Sequence, residues 1–263
     1  MDLTGKTAII TAGAGGIGWS IAQRFAQYGA QLCLCDISDD ALDEARRLMP
    51  TALIVKADVA NSADVAAVFD AFLKRHDRLD ILVNNAGISG PTKPVDQITD
   101  GEWLDTMNVN VSGMFYMVRA AVPLFRKTQG GCIINMSSVA GRLGMPMRAP
   151  YSVSKYAVRG LTEVLAVELG DIGVRVNSIL PGFVDGPRGR RVMAEQAQSR
   201  GVDPAAYLQM MLHNISMHSM VQMEEIADMA AFLASDLARH VSGQSIGVCG
   251  NFESYRAPLV MGS

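Results

Sequence analysis

Within the first 36 residues an apolar strand, a glycine-rich turn, an amphipathic helix, a second apolar strand and an acid follow one another. Thr7 to Thr11 reads as a buried strand and Gln31 to Cys35 as the next. Between them lie Ala12-Gly13-Ala14-Gly15-Gly16-Ile17-Gly18 and a helix over about 17–27, with Ile17, Ile21 and Phe25 on one face. Two parallel strands joined by one crossover helix leave few ways to fold. The glycines give the pattern a chemical meaning. A backbone without Cβ lets a pyrophosphate come close, and the first turn of the helix offers free N–H groups and a positive dipole end. Gly13, Gly16, Ile17 and Gly18 are therefore candidate nucleotide contacts. Asp36 lies eighteen residues beyond Gly18, near the offset expected for an acid on the adenosine ribose. Its carboxylate can accept from both ribose hydroxyls and would repel a 2′-phosphate, and the turn carries no Lys or Arg to offset that. The expected cofactor is NAD rather than NADP.

Strand and helix patterns keep alternating. Further strands are expected at Ala52–Lys56, Ile81–Val83, Cys132–Met136, Val174–Leu180 and Ser245–Cys249. Helices are expected over about 39–48, 62–75 (Ser62 as N-cap), 101–125, 151–168 and 224–235, the third opened by a Thr99/Glu102 capping box. The pattern predicts one α/β domain over 1–263, a doubly wound Rossmann fold with a seven-stranded parallel sheet. Its strand ends carry Asp58-Val59, with Asp58 placed for the adenine amino group, and Asn84-Asn85-Ala86-Gly87, on the side of the sheet where the ligand crevice forms. Turn chemistry suffices for one of the two asparagines. Asn108-Val109-Asn110 falls inside the long predicted helix, where amides are poor residues; an Asn there can bend the helix and hold a water on a proton path from Lys155.

Ser138 follows the Cys132–Met136 strand, and Tyr151 and Lys155, four residues apart, share one face of a helix. A free phenol has a pKa of ~10 and exchanges protons poorly near neutrality. A nearby ammonium favours the phenolate, which suits general acid–base work, and a serine hydroxyl can hold a substrate oxygen in line.

Taken together, Thr11–Gly18, Asn84–Gly87, Asn110, Ser138, Tyr151, Lys155 and Pro181-Gly182 resemble, in order and spacing, the short-chain dehydrogenase/reductase family over nearly the whole chain. The resemblance implies that Tyr151 is the general acid/base, that Lys155 lowers its pKa and holds the nicotinamide ribose, that Ser138 positions the substrate oxygen and that Asn110 supports the proton relay. It also implies cofactor contacts from the backbone of Gly16, Ile17, Gly18, Asn85 and Val184, with Ile37 and Val59 beside Asp36 and Asp58. Two positions depart from the family pattern: Ala12 stands where glycine is usual, and Gly186 where a threonine would reach the carboxamide.

Residues 183 to about 222 are expected to cover the substrate. Arg188, Arg190 and Arg191 follow the cofactor loop directly, and a guanidinium fork grips carboxylate, sulfonate or phosphate well; Arg142 and Arg148, before Tyr151, can add to such a site. The methionines of this stretch read as packing beneath a lid. The activity implied is hydride transfer between NAD(H) and a secondary alcohol or ketone, the substrate a small polar molecule such as a sugar or an anionic sugar or hydroxy acid. The rivals are a 3-oxoacyl thioester reductase and a non-catalytic NAD-binding regulator.

A net charge of −3 and a pI near 5.8 argue against nucleic acid or an anionic membrane as partner. No apolar run approaches a bilayer span, and the N-terminus lacks secretory features, so a cytoplasmic location is expected. Cys33, Cys35, Cys132 and Cys249 form no CxxC pair and read as buried thiols, and the four histidines lack zinc spacing, so no metal is expected. The family resemblance implies a homotetramer built on the two long helices and the C-terminal region. The apolar tail from Asn251 to Ser263 is expected to dock.

Overall fold

Strand side chains alternate between two apolar layers. In the computed structural model, which describes residues 1–254, Ile10, Leu34, Ile81, Val83 and Ile134 face one layer, while Ile9, Cys33, Cys35, Leu82 and Ile133 face the other. Both sets are buried, so the sheet is covered on both sides, as an all-parallel sheet requires.

The strands are β1 (Thr7–Thr11), β2 (Gln31–Asp36), β3 (Leu53–Lys56), β4 (Ile81–Asn84), β5 (Gly131–Met136), β6 (Val174–Pro181) and β7 (Ser245–Val248). They form one parallel sheet in the order β3-β2-β1-β4-β5-β6-β7. The helices are α1 (Gly16–Gln27), α2 (Asp39–Leu48), α3 (Ser62–Leu73), α4 (Asp100–Met107), α5 (Gly113–Thr128), α6 (Ala149–Leu169), α7 (Pro187–Ser199), α8 (Pro204–His213) and α9 (Met223–Ala234). Helices α1 and α9 pack on the first layer through Ile21, Phe25, Ile226 and Leu233. Helices α3, α5 and α6 pack on the second through Phe72, Phe125 and Leu165. Each fully buried phenylalanine among these stabilises by roughly 1.5–3 kcal/mol. The order reverses between β1 and β4, and the crevice above that switch point is where such sheets bind ligands.

Strands and helices match the sequence expectation to within a few residues, with two physical corrections. Asn61, not Ser62, caps α3, because its Oδ1 accepts the Ala63 N–H and Ser62 is already helical. The helix expected over 101–125 is interrupted: α4 runs into a π-helical turn at Asn108–Ser112 before α5 begins. Residues 183–222, expected to cover the substrate, contain two helices, α7 and α8, and Val184 and Val221 bridge the two ends of this segment. The Thr99/Glu102 capping box forms. Phe252 packs edge-on to Phe183 at 5.2 Å, whereas Tyr255, Pro258, Leu259 and Val260 lie outside the described residues. No helix among the described residues is long and apolar enough to cross a membrane.

Candidate active site

The glycine turn and the asparagine loop are stitched together at the switch point. Thr11 Oγ1, at the end of β1, accepts the backbone N–H of both Asn85 and Ala86 at 2.9 Å. Asn85 Nδ2 donates back to the carbonyls of Thr11 (3.1 Å) and Ala12 (3.2 Å). The turn is thereby held tight enough that a Cβ on Gly18 would meet the Ala12 carbonyl oxygen at 2.1 Å, and one on Gly13 would meet the Ile10 carbonyl oxygen at 2.8 Å. Gly15 and Gly16 face open space instead. Helix α1 starts there with no side-chain cap and no acid in its first turn. Such a cradle, open at Gly15 and Gly16 and with no acid in the first turn of the helix, suits a pyrophosphate.

Asp36 closes β2 beside that turn, its carboxylate accepting the N–H of Ala14 (3.3 Å), Ile37 (2.8 Å) and Ser38 (3.2 Å). Ile37 is exposed, an apolar side chain left uncovered next to the acid. Asp58 accepts the N–H of Ala60 at 2.9 Å, and Val59 is buried against Gly113. Asn84 is buried in β4 and donates to Asn135, while its Oδ1 has no partner in the structure.

The π turn brings Asn110 inward, fully buried. Its Oδ1 accepts the Ile88 N–H at 2.7 Å, and its Nδ2 donates to the Ile88 carbonyl (3.0 Å) and Ser154 Oγ (2.9 Å). A single extra residue in the helix thus gives this amide three bonds. Gly87 sits in the same corner, where a Cβ would lie 3.0 Å from Asn110 Oδ1 and 3.5 Å from Lys155 Nζ.

Tyr151 stands in the first turn of α6, after Pro150. Lys155, one turn on, places Nζ 5.7 Å from the Tyr151 ring centroid and donates to the Met136 carbonyl at 2.8 Å. Burial pushes the Lys155 ammonium down to about 7, and the charge of Arg188 pushes the same way. Ser138 ends the β5 loop with its Oγ accepting the Ala140 N–H at 3.1 Å, which leaves the hydroxyl proton free to donate. Neighbouring Ser137 donates to the Lys155 carbonyl at 2.9 Å, fixing this loop to α6.

The arginines part company. Arg188 donates to the Gly87 carbonyl at 2.8 Å, inside the crevice. Arg190 is tied to Asp185 at 2.9 Å and Arg191 lies 3.8 Å from Glu195, both side chains about two-thirds exposed. Arg142 pairs with Glu253 and the Ser245 carbonyl at the β7 side. Arg148 is buried, its guanidinium 4.9 Å from the Tyr151 ring centroid. Val184 bridges to Val221, and a Cβ on Gly186 would meet the Met223 methyl at 2.3 Å. Met223 thus fills the space that a threonine at 186 would need. Sequence reasoning did not single out Thr11 or Ser154 for support of the site; a hydroxyl at a strand end and one beside the Tyr/Lys pair were the available signals.

A doubly wound sheet with a glycine cradle at its switch point, and a Tyr/Lys pair and a buried Asn converging beside it, defines a nucleotide-dependent oxidoreductase architecture. The family profile described as enoyl-(acyl carrier protein) reductase matches residues 12–252. The chain belongs to the short-chain dehydrogenase/reductase family of oxidoreductases. It is 36% identical over 258 residues to 3beta-hydroxysteroid dehydrogenase 2 of Eggerthella lenta, covering 96% of each chain. A crystal structure of NAD+-bound xylitol dehydrogenase superposes with a TM-score of 0.90 at 29% identity, over 95% of this chain and 100% of that one. A gluconate 5-dehydrogenase from Burkholderia cenocepacia, solved with NADP and tartrate, superposes at 0.88 with 32% identity, over 97% and 98%.

Proposed function

We propose that the protein transfers hydride between NAD(H) and a small polar secondary alcohol or its ketone. The observation that carries this reading is the convergence of Lys155 and Asn110 on Gly87, with the Tyr151 ring 5.7 Å from Lys155 Nζ, one loop away from the glycine cradle. The cradle residues Gly13, Gly16, Ile17 and Gly18 would hold the pyrophosphate. Asp36 with Ile37 would take the adenosine ribose and ring edge, Asp58 and Val59 the adenine, and Asn85 and Val184 the nicotinamide half. When bound, the nicotinamide supplies the hydride acceptor or donor. Solved relatives divide between NAD+ and NADP; the Asp36 carboxylate, which would repel a 2′-phosphate, favours NAD here.

Ser138 Oγ donates to the substrate oxygen, and Tyr151 as phenolate removes the hydroxyl proton while the carbinol carbon is oxidised. In reduction the Tyr151 phenol returns that proton to the carbonyl oxygen. The Lys155 cation stands beside the ring that carries the charge, and Asn110 holds the corner through which the proton travels outward. Because Arg188 is the lid arginine turned into the crevice, the substrate reading extends to an anionic sugar or hydroxy acid. Exposed Phe115, Val153, Val164 and Val167 on α5 and α6 support assembly through the two long helices into a tetramer. A cytoplasmic location goes with this reading.

The test is an NAD+-coupled screen of polyols, sugars, hydroxy acids, steroids and acyl thioesters with wild type and Tyr151→Phe. Wild type is expected to form NADH with an alcohol, and Tyr151→Phe to lower kcat by about 10²–10⁴ while NAD+ affinity stays within about twofold. Undiminished turnover by Tyr151→Phe would remove the phenol from the mechanism.

A further inference from the structure

Three cations crowd the crevice around Tyr151. Arg148 is 3% exposed and bonds neutral acceptors, the Ser89 carbonyl at 2.9 Å and Thr92 Oγ1 at 3.0 Å. Lys155 is 4% exposed and bonds the Met136 carbonyl. Arg188 reaches in from α7, exposed, and uses a donor on the Gly87 carbonyl. Among the described residues, none of the three forms a salt bridge with a carboxylate. Burial disfavours the charged forms of Lys155 and Arg148 most, and Arg188 pushes both the same way, while Tyr151, and less so Glu195 and Tyr207, favour that of Arg148.

A buried guanidinium without a counter-ion is costly, and proteins rarely keep one without a use. Tyr151 as phenolate would balance one of the three charges. Two remain, both on planar forks with donors to spare, one anchored in the floor and one on the lid. Arg190 and Arg191, by contrast, already have Asp185 and Glu195 as neighbours.

Building on the oxidoreductase reading above, we propose that Arg148 and Arg188 together grip an oxyanion group of the substrate. The physiological alcohol is then an anionic hydroxy compound rather than a neutral polyol or steroid. The oxyanion enters between the floor and the lid, beside the Tyr151 ring, and carries the carbinol to Ser138 and Tyr151. Its charge also offsets the Arg188 repulsion that adds to burial in driving the proton off Lys155, so substrate binding itself favours the ammonium the reaction uses.

The test measures binding of malonate, methanesulfonate and inorganic phosphate to the whole protein with NAD+ present, by titration calorimetry. Competition by each against whichever alcohol is oxidised is measured alongside. At least one of the three is expected to bind competitively, and Arg188→Met and Arg148→Met to weaken it tenfold or more. Arg126→Gln, at the far end of α5, is expected to change it less than twofold. A preference for malonate would identify a planar carboxylate, and a preference for methanesulfonate or phosphate a tetrahedral group. If Arg148→Met does not fold, Arg188→Met, on the exposed lid, decides alone. Binding of none of the three, or equal weakening by Arg126→Gln and Arg188→Met, overturns the clamp. Tyr151-dependent oxidation of neutral alcohols without anion binding sinks the clamp but leaves the oxidoreductase reading standing. Turnover that does not need Tyr151 sinks that reading instead.

Discussion

Ala12 has φ of 47°, the left-handed region, in the turn that cradles the proposed pyrophosphate. A Cβ there costs ~1–2 kcal/mol. Its own carbonyl and that of Thr11 are held by Asn85 Nδ2, so the surrounding bonds keep the backbone in place. Ala12→Gly would relieve that strain, against ~0.5–1 kcal/mol of extra chain entropy in the unfolded state. The variant is expected to be more stable by about 0.5–1 kcal/mol, raising Tm by roughly 1–4 °C. A lower Tm in a thermal melt would mean that the methyl packs well enough to outweigh the strain. The departure at position 12 was visible in the sequence; its backbone angle was not, since φ depends on bonds to Asn85, 73 residues away. The same distinction holds at Gly186, where the missing threonine was legible but the Met223 methyl that takes its space was not.

Element by element, periodicity located every strand, because each buried run is bounded by polar or turn residues. What periodicity could not show was the π turn at Asn108–Ser112. The awkward amides marked the place, but the extra residue only makes sense once Ile88 and Ser154 are seen waiting for Asn110. The end of β2 is a simpler junction, and the acid that closes it was legible, though its bonds to the backbone were not. Asp36 Oδ2 accepts the Ala14 N–H and Oδ1 those of Ile37 and Ser38, so one carboxylate joins the glycine turn to the start of α2. Replacing Cys35 by alanine and Asp36 by arginine is expected to raise the NADP+/NAD+ ratio of kcat/KM at least about tenfold, one charge-assisted bond's worth. Equal use of both cofactors by the wild type would show that this acid does not set the choice.

At the scale of the whole molecule, a buried lysine couples the site to stability. Folding lowers Lys155 from its ordinary 10.5 to about 7. Between those values the unfolded chain holds the proton that the folded protein has released. Stability from this residue therefore rises as pH increases from about 7 toward 10.5, and is lowest and level below about 7. Denaturant unfolding without added nucleotide, at pH 6, 7.5 and 9, should show wild type gaining on Lys155→Met as pH rises. A constant difference between the two would mean that Lys155 titrates normally. Burial of this kind was not legible from spacing, which places Lys155 beside Tyr151 but cannot say how much water either sees. The thiols were easier: all four are free and buried, Cys33 pushed up to about 12, because they sit in or beside apolar strands.

The bridge between Val184 and Val221 has a further meaning. The segment between them, which holds α7 and α8, leaves and rejoins the rest of the fold at neighbouring points, so its length and composition can vary without moving the sheet beneath. If this segment covers the substrate as proposed, exchanging the part beyond Val184, arginines included, would change which hydroxy compound is preferred while the glycine turn stays as it is.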